Sequence, residues 1–238
     1  MSLNISASLL KDYILCSRKV YYRLFEPDLA IQNANMLMGS IVHRALELYW
    51  NDFDKAIEYV NREKFPILNA NNYGYMEKCT SNFFKNFKHR VSGKEVVIEQ
   101  FFKLPLDDNV FLVGKIDRIS DGNIYDWKTS QRVPTDLDND IQLMIYHYAY
   151  MRTYGKKPEG VFYGILSQGV LVPYKFNKFY FSELFDSIIP EVVDKVRNNS
   201  LNKDGLFRKG SCHRCPYIKH CVTDKENDGM VSGTLTKE

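Results

Sequence analysis

The stretch Gly114-Lys115-Ile116-Asp117-Arg118-Ile119-Ser120-Asp121-Gly122-Asn123-Ile124-Tyr125-Asp126-Trp127-Lys128-Thr129 decides the fold. Asp121-Gly122 suits a two-residue type I′ hairpin loop, in which both central residues take positive φ. With that loop, Ser120 faces Asn123, Ile119 faces Ile124 and Asp117 faces Asp126. Opposed side chains on one face of an antiparallel pair lie about 5 Å apart. Lys128, two residues beyond Asp126, projects to the same face. Two opposed carboxylates destabilise a sheet unless something neutralises them. Magnesium or manganese, which prefer oxygen ligands, would do so. A nearby ammonium can hold an attacking water or offset developing negative charge. The alternative is an exposed hairpin with solvated charges; Val113, Ile119 and Ile124 on the same face argue for partial burial. A three-residue loop would shift the register and end the direct opposition.

The surrounding chain is that of a globular protein. Of 238 residues, 45% are hydrophobic and 14% aromatic, enough for a full core and too aromatic for a disordered chain. The net charge of +3 decides little alone and does not exclude a nucleic-acid enzyme, which needs carboxylates for metals as well as lysines for phosphates. No apolar run is long enough to span a membrane and Met1-Ser2-Leu3-Asn4 does not begin a signal peptide, so a cytoplasmic location is expected. Periodicity predicts helices over residues 6–23 (capped by Ser6 or Ser8), 36–50, 52–63, 73–89, 139–154 and 181–199, the last with a kink at Pro190. Strands are predicted over 95–104, 110–120, 123–130, 160–166 and 169–176, with a break at residues 105–109. This order makes a mixed α/β domain.

The hairpin residues resemble the core of the PD-(D/E)XK nucleases, in their RecB-like branch. His43, preceded by Gly39, matches that branch's histidine on an earlier helix. Gln142 and Tyr146, four residues apart and so on one helical face, match its Gln-x3-Tyr pair. The order His43, Asp117, Asp126, Lys128, Gln142, Tyr146 is the family's order. The resemblance implies a restriction-endonuclease-like core, a mixed central sheet flanked by helices. It makes Asp117, Asp126 and His43 metal ligands, with the Trp127 carbonyl as a fourth. Lys128 would assist the nucleophilic water, Gln142 and Tyr146 would contact the nucleic acid or order the site, and Glu99 would bind metal or orient a ligand.

Cys212-x2-Cys215-x5-Cys221 is a compact soft-metal motif with three thiolates, one short of a complete set. Cys16 in the first helix is the best distant donor; His213 or His220 would complete a local Cys3His zinc site instead. Spacing alone leaves zinc and iron–sulfur open. The arrangement of one cysteine before the nuclease core and three after it resembles the iron–sulfur subgroup of RecB-like nucleases, shared by AddB-type helicase-nucleases and CRISPR-associated RecB-type exonucleases. That resemblance implies a structural 4Fe–4S cluster joining the N- and C-terminal segments. It divides the chain into residues 1–35 with one cluster cysteine, a nuclease core at 36–200, the cysteine segment at 201–222 and a flexible polar tail at 223–238. Cys79 is expected to be an inert buried thiol.

Basic residues interleave with aromatics at residues 18–23 and 83–90, and Arg18 and Lys19 are candidate contacts to single-stranded DNA. Amphipathic helices with aromatics inside and lysines in water would read the same way. The expected activity is metal-dependent DNA exonuclease action at free ends or in single strands. The resemblance places it in CRISPR spacer acquisition, with integrase proteins as partners, or in viral DNA recombination. A catalytically idle DNA-binding module and a zinc-stapled nuclease are the competing readings.

Overall fold

The computed structural model, which describes residues 2–62, 64–201, 212 and 215–227, is organised around β3 (Val110–Ser120). β2 (Val96–Asp107) runs antiparallel along one whole edge of β3. The other edge is shared. β1 (Leu3–Ile5) pairs in parallel with Val110, Phe111 and Leu112 at one end, and β4 (Asn123–Lys128) pairs antiparallel with Arg118, Ile119 and Ser120 at the other. A strand has only two edges, so residues 113–117 face a notch in the sheet with no ladder partner on that side among the described residues. β5 (Gly160–Ile165) then lies parallel to β4, and β6 (Val170–Pro173) antiparallel to β5. The result is a mixed α/β architecture with a mixed central sheet flanked by helices.

Side chains alternate across β4, and the helices follow that alternation. Tyr125 and Trp127 point into a core built with α3 (Ala34–Tyr49), α5 (Ala70–Asn82) and the π-helical turn Phe83–Phe87. α4 (Phe53–Arg62) adds Val60 to the same core. Asp126 points to the opposite face, toward α6 (Ile141–Tyr154), which crosses from β4 to β5. α6 is buried nearly all round because a second layer covers it: Tyr148 packs on Phe181 and Phe185, from α7 (Lys178–Glu183) and the π turn Leu184–Ile188 that leads into α8 (Ile189–Arg197).

Several sequence expectations are corrected here. The helix expected over 6–23 is two helices, α1 (Ala7–Leu15) and α2 (Ser17–Phe25), because Cys16 is extended at φ −169° and ψ 111°. Ser6 does cap α1, its Oγ accepting from Leu9 N–H at 3.2 Å. β2 runs through Pro105 to Asp107 with a bulge, since an edge strand with one partner tolerates a residue without N–H. β1 is too short to show any period. The helix expected over 73–89 leaves α geometry at Phe83, and the last core helix begins at Lys178 with its π turn just before Pro190. α9 (Ile218–Asn227) runs into the stretch expected to be a loose tail; residues 228–238 lie outside the described residues.

The chain divides into two units, Met1–Leu10 with Asn33–Val193, and Lys11–Gln32 with Asp194–Glu238. The sheet lies in the first. Within the second, both ends of the chain meet: Tyr22 stacks on Tyr217 with ring centroids 5.4 Å apart, and Ile31 N–H donates to the Pro216 carbonyl at 3.0 Å.

Gly164 on β5 lies beside Trp127, and a Cβ there would run into the six-membered ring of the indole. The Gly164→Ala variant is expected to lose about 1–3 kcal/mol of stability through overpacking, read as a lower denaturant midpoint.

Candidate active site

The hairpin pairs as the Asp-Gly turn requires, Ser120 with Asn123 and Ile119 with Ile124, and the described ladder ends at Arg118–Tyr125. Where β3 and β4 part, side chains take over the backbone bonding. Trp127 N–H donates to Asp117 Oδ2 at 2.7 Å, and the Lys115 carbonyl, which faces the notch, accepts from the Tyr146 hydroxyl at 2.6 Å. Asp117 and Asp126 are 7% and 1% exposed. The notch therefore holds two buried carboxylates, and each has found a cation. His43 Nδ1, reaching in from α3, lies 3.3 Å from Asp117 Oδ2, and Lys128 Nζ lies 2.5 Å from Asp126 Oδ2.

Gln142 on α6 ties this centre together. Its Nε2 donates to Asp126 Oδ1 at 2.8 Å and to Tyr146 Oη at 2.8 Å, while its Oε1 accepts from Lys128 Nζ at 2.9 Å. The i,i+4 spacing of Gln142 and Tyr146 makes this one helical face. Tyr163 on β5, opposite Asp126 in the parallel register, was not legible in the sequence. Its hydroxyl donates to Asp140 Oδ1 at 2.7 Å, and Lys128 Nζ lies 4.7 Å from its ring centroid. Tyr163 thus forms one wall against the lysine.

The electrostatics follow from burial and pairing. Burial pushes Asp126 up, Lys128 opposes it and Asp117 adds repulsion; the carboxyl comes to about 6. Burial also acts to raise Asp117, but His43 and the Trp127 N–H outweigh it and hold it below the usual carboxylate range. For His43, burial works downward and the attraction of Asp117 wins, raising it to about 9. Lys128 is likewise raised, because its carboxylate neighbours outweigh its burial. Opposite charges therefore sit interleaved, as two buried carboxylates demand.

Glu99 falls between the Ile98–Arg118 and Gln100–Ile116 pairs, across from Asp117, with φ at 55°. Such a conformation in a non-glycine residue costs about 1–3 kcal/mol. Its carboxylate is paired with Lys115 and pushed upward chiefly by burial. Glu99, Asp117 and His43 line one cleft together with Glu47, Trp50 and Arg118. Glu47 stands one turn beyond His43 on α3, a spacing that could have marked it.

The donor set, two buried carboxylates and an imidazole, fits a hard or borderline divalent cation. Among the described residues no three His, Cys, Asp or Glu side chains already converge on a common point; the carboxylates are instead turned to His43 and Lys128. Four of the five cysteines, Cys16, Cys212, Cys215 and Cys221, lie in the second unit as partly buried thiols. Burial pushes the Cys215 thiol up, and Cys16 is near enough to add to that shift. His213 lies outside the described residues, and His220 is exposed. Cys79 is fully buried, with its thiol raised by burial to about 11. Of the expected DNA contacts, Arg18 is buried at 4% exposure and Lys19 pairs with Asp12 at 2.6 Å. Phe83 and Phe87 are core residues rather than exposed rings.

Fold and site define a nuclease of the superfamily whose core is this carboxylate hairpin. The chain belongs to the PD-(D/E)XK nuclease superfamily, whose family model matches residues 4–222. No curated protein matches it. A nuclease of this superfamily would act on DNA, and its members usually use magnesium or manganese. No helix among the described residues is long and apolar enough to cross a membrane.

Proposed function

We propose that the chain is a metal-dependent DNA exonuclease of the RecB-like branch, hydrolysing phosphodiester bonds at free ends or in single strands. The observation that carries this reading is the pair of buried carboxylates at the sheet notch with Lys128 beside them. Asp117, Asp126, His43 and the Trp127 carbonyl would hold the cation. When bound, magnesium or manganese polarises the scissile phosphate and makes water acidic enough to attack phosphorus. The rest of the chemistry falls to the chain itself. Lys128 stands ready to orient the attacking water and to offset charge building on the phosphate oxygens. Gln142 keeps the ammonium and Asp126 aligned, so neither must be reorganised during the reaction. Tyr146 fixes the open edge of β3 through the Lys115 carbonyl. Glu99 orients the ligands from across the cleft.

The cysteine pattern extends the reading to a structural 4Fe–4S cluster on Cys16, Cys212, Cys215 and Cys221. Support comes from the second unit, where residues of both chain ends already meet and Cys16 is near enough to add to the upward shift of the Cys215 thiol. Four thiolates are the donor set such clusters use. With this pattern the reading extends to a role in CRISPR spacer acquisition beside integrase proteins, or in viral recombination, in the cytoplasm. Arg18 and Lys19 would then act on DNA only by exchanging their present surroundings for phosphates.

Two measurements test these points. Protein purified without oxygen and supplied with manganese is expected to shorten end-labelled linear DNA and to leave covalently closed single-stranded circles intact; nicked circles would make it an endonuclease. The same preparation is expected to be brown and to return iron and sulfide on metal analysis, and a colourless protein holding zinc would replace the cluster with a zinc staple.

A further inference from the structure

Arg118 is the largest of the fully buried side chains, at 2% exposure, and it lines the cleft beside Asp117. Its Nη2 donates to the Val91 carbonyl at 2.6 Å, its guanidinium lies 4.0 Å from the Trp50 ring centroid, and its Nε has no hydrogen-bond partner among the described residues. A buried cation without a carboxylate is costly, because neither the carbonyl nor the ring returns a full negative charge.

The charges around the cleft make the imbalance specific. Each carboxylate lining it has a cation of its own: Asp117 has His43, Glu99 has Lys115, and Glu47 has Arg44 at 2.5 Å. Arg118 is left without a carboxylate of its own among the described residues, and burial is the cause that acts on its guanidinium, lowering its pKa. A planar guanidinium with an idle Nε–H is the group that receives phosphate oxygens side-on.

We propose that Arg118 is the receptor for a phosphate group of the substrate strand, drawn into this cleft next to the cleavage centre. The inference rests on the nuclease reading for its choice of anion. A phosphate seated there would anchor the strand at a fixed distance from Asp117 and Asp126. It would act on binding rather than on bond breaking.

The molecule supplies its own reporter. Its two tryptophans, Trp50 and Trp127, both line this cleft, and Trp50 carries the guanidinium on its face. In chelator, titrating the protein with inorganic phosphate or with a short single-stranded oligonucleotide is expected to give a saturable change in intrinsic fluorescence. The oligonucleotide should displace the phosphate. Arg118→Met should weaken both about tenfold, with Arg118→Lys between, and should raise the KM for DNA by a similar factor while kcat holds. No saturable response in the wild-type protein would overturn the proposal even if the Met variant failed to fold. So would equal affinities in the variants, and so would phosphate binding that the oligonucleotide leaves in place. Failure of the nuclease reading looks different: phosphate would bind through Arg118, yet no metal would support cleavage.

Discussion

Replacing Asp126 by Asn is expected to lower DNA cleavage by about 10³-fold or more while the protein stays folded. Asp126 is 1% exposed, and its carboxylate receives both Gln142 and Lys128. An amide keeps the shape and an oxygen to accept from Gln142, so the packing of β4 on α6 survives. What is lost is the charge. Under the proposed function the cation would lose a ligand, and Lys128 would lose the carboxylate that pairs with its ammonium. Removing a mutual repulsion with Asp117 offsets part of the stability lost at Lys128. The melting temperature should accordingly move by no more than about 5 °C. Cleavage of labelled DNA together with a thermal melt checks both halves. Full activity in a folded Asp126→Asn protein would remove the hairpin from the chemistry.

Trp127→Ala is expected to act through stability, lowering it by about 3–5 kcal/mol. Trp127 is 3% exposed and meets Phe83 edge-on at 5.2 Å, Phe87 at 5.6 Å and Tyr125 face-on at 5.8 Å. Its removal opens a cavity where three core helices meet the sheet, at a point where Gly164 leaves no side chain to collapse inward. A denaturant midpoint that falls with an unchanged slope would show the loss. Because Trp127 separates Asp126 from Lys128, both would lose their footing as the strand loosens. Trp127→Phe refills most of the volume and should recover more than half of the stability. A midpoint unchanged in Trp127→Ala would mean that the aromatic cluster does not anchor β4.

The local arrangement of the hairpin and of α6 was more legible than the architecture around them. Asp121-Gly122 set the register of the hairpin because few turns accept two positive φ values, and the observed pairs follow it. The i,i+4 spacing of Gln142 and Tyr146 foretold a shared helical face, and Gln142 does bond both Tyr146 and Asp126. What escaped depends on long-range pairing. β1 is three residues long and pairs in parallel with a strand a hundred residues later, so no local pattern announces it. Without it, the notch that exposes the Lys115 carbonyl cannot be foreseen. Tyr163 reaches the site only through the parallel register of β4 and β5. Arg118 reads locally as a charged neighbour of Asp117, and only packing against Trp50 and Val91 reveals it as buried. Cys16 interrupts the first helix although its neighbours keep a helical period, and a period read over a window does not register one extended residue.

Cleavage of end-labelled single- and double-stranded DNA by anaerobically purified protein, in manganese, in magnesium and in chelator, tests the account most directly. Shortening that requires the metal, stops in chelator and disappears in Asp126→Asn is the predicted result. Intact DNA with every metal, from a protein that still binds it, would contradict the account and make the acidic hairpin a scaffold.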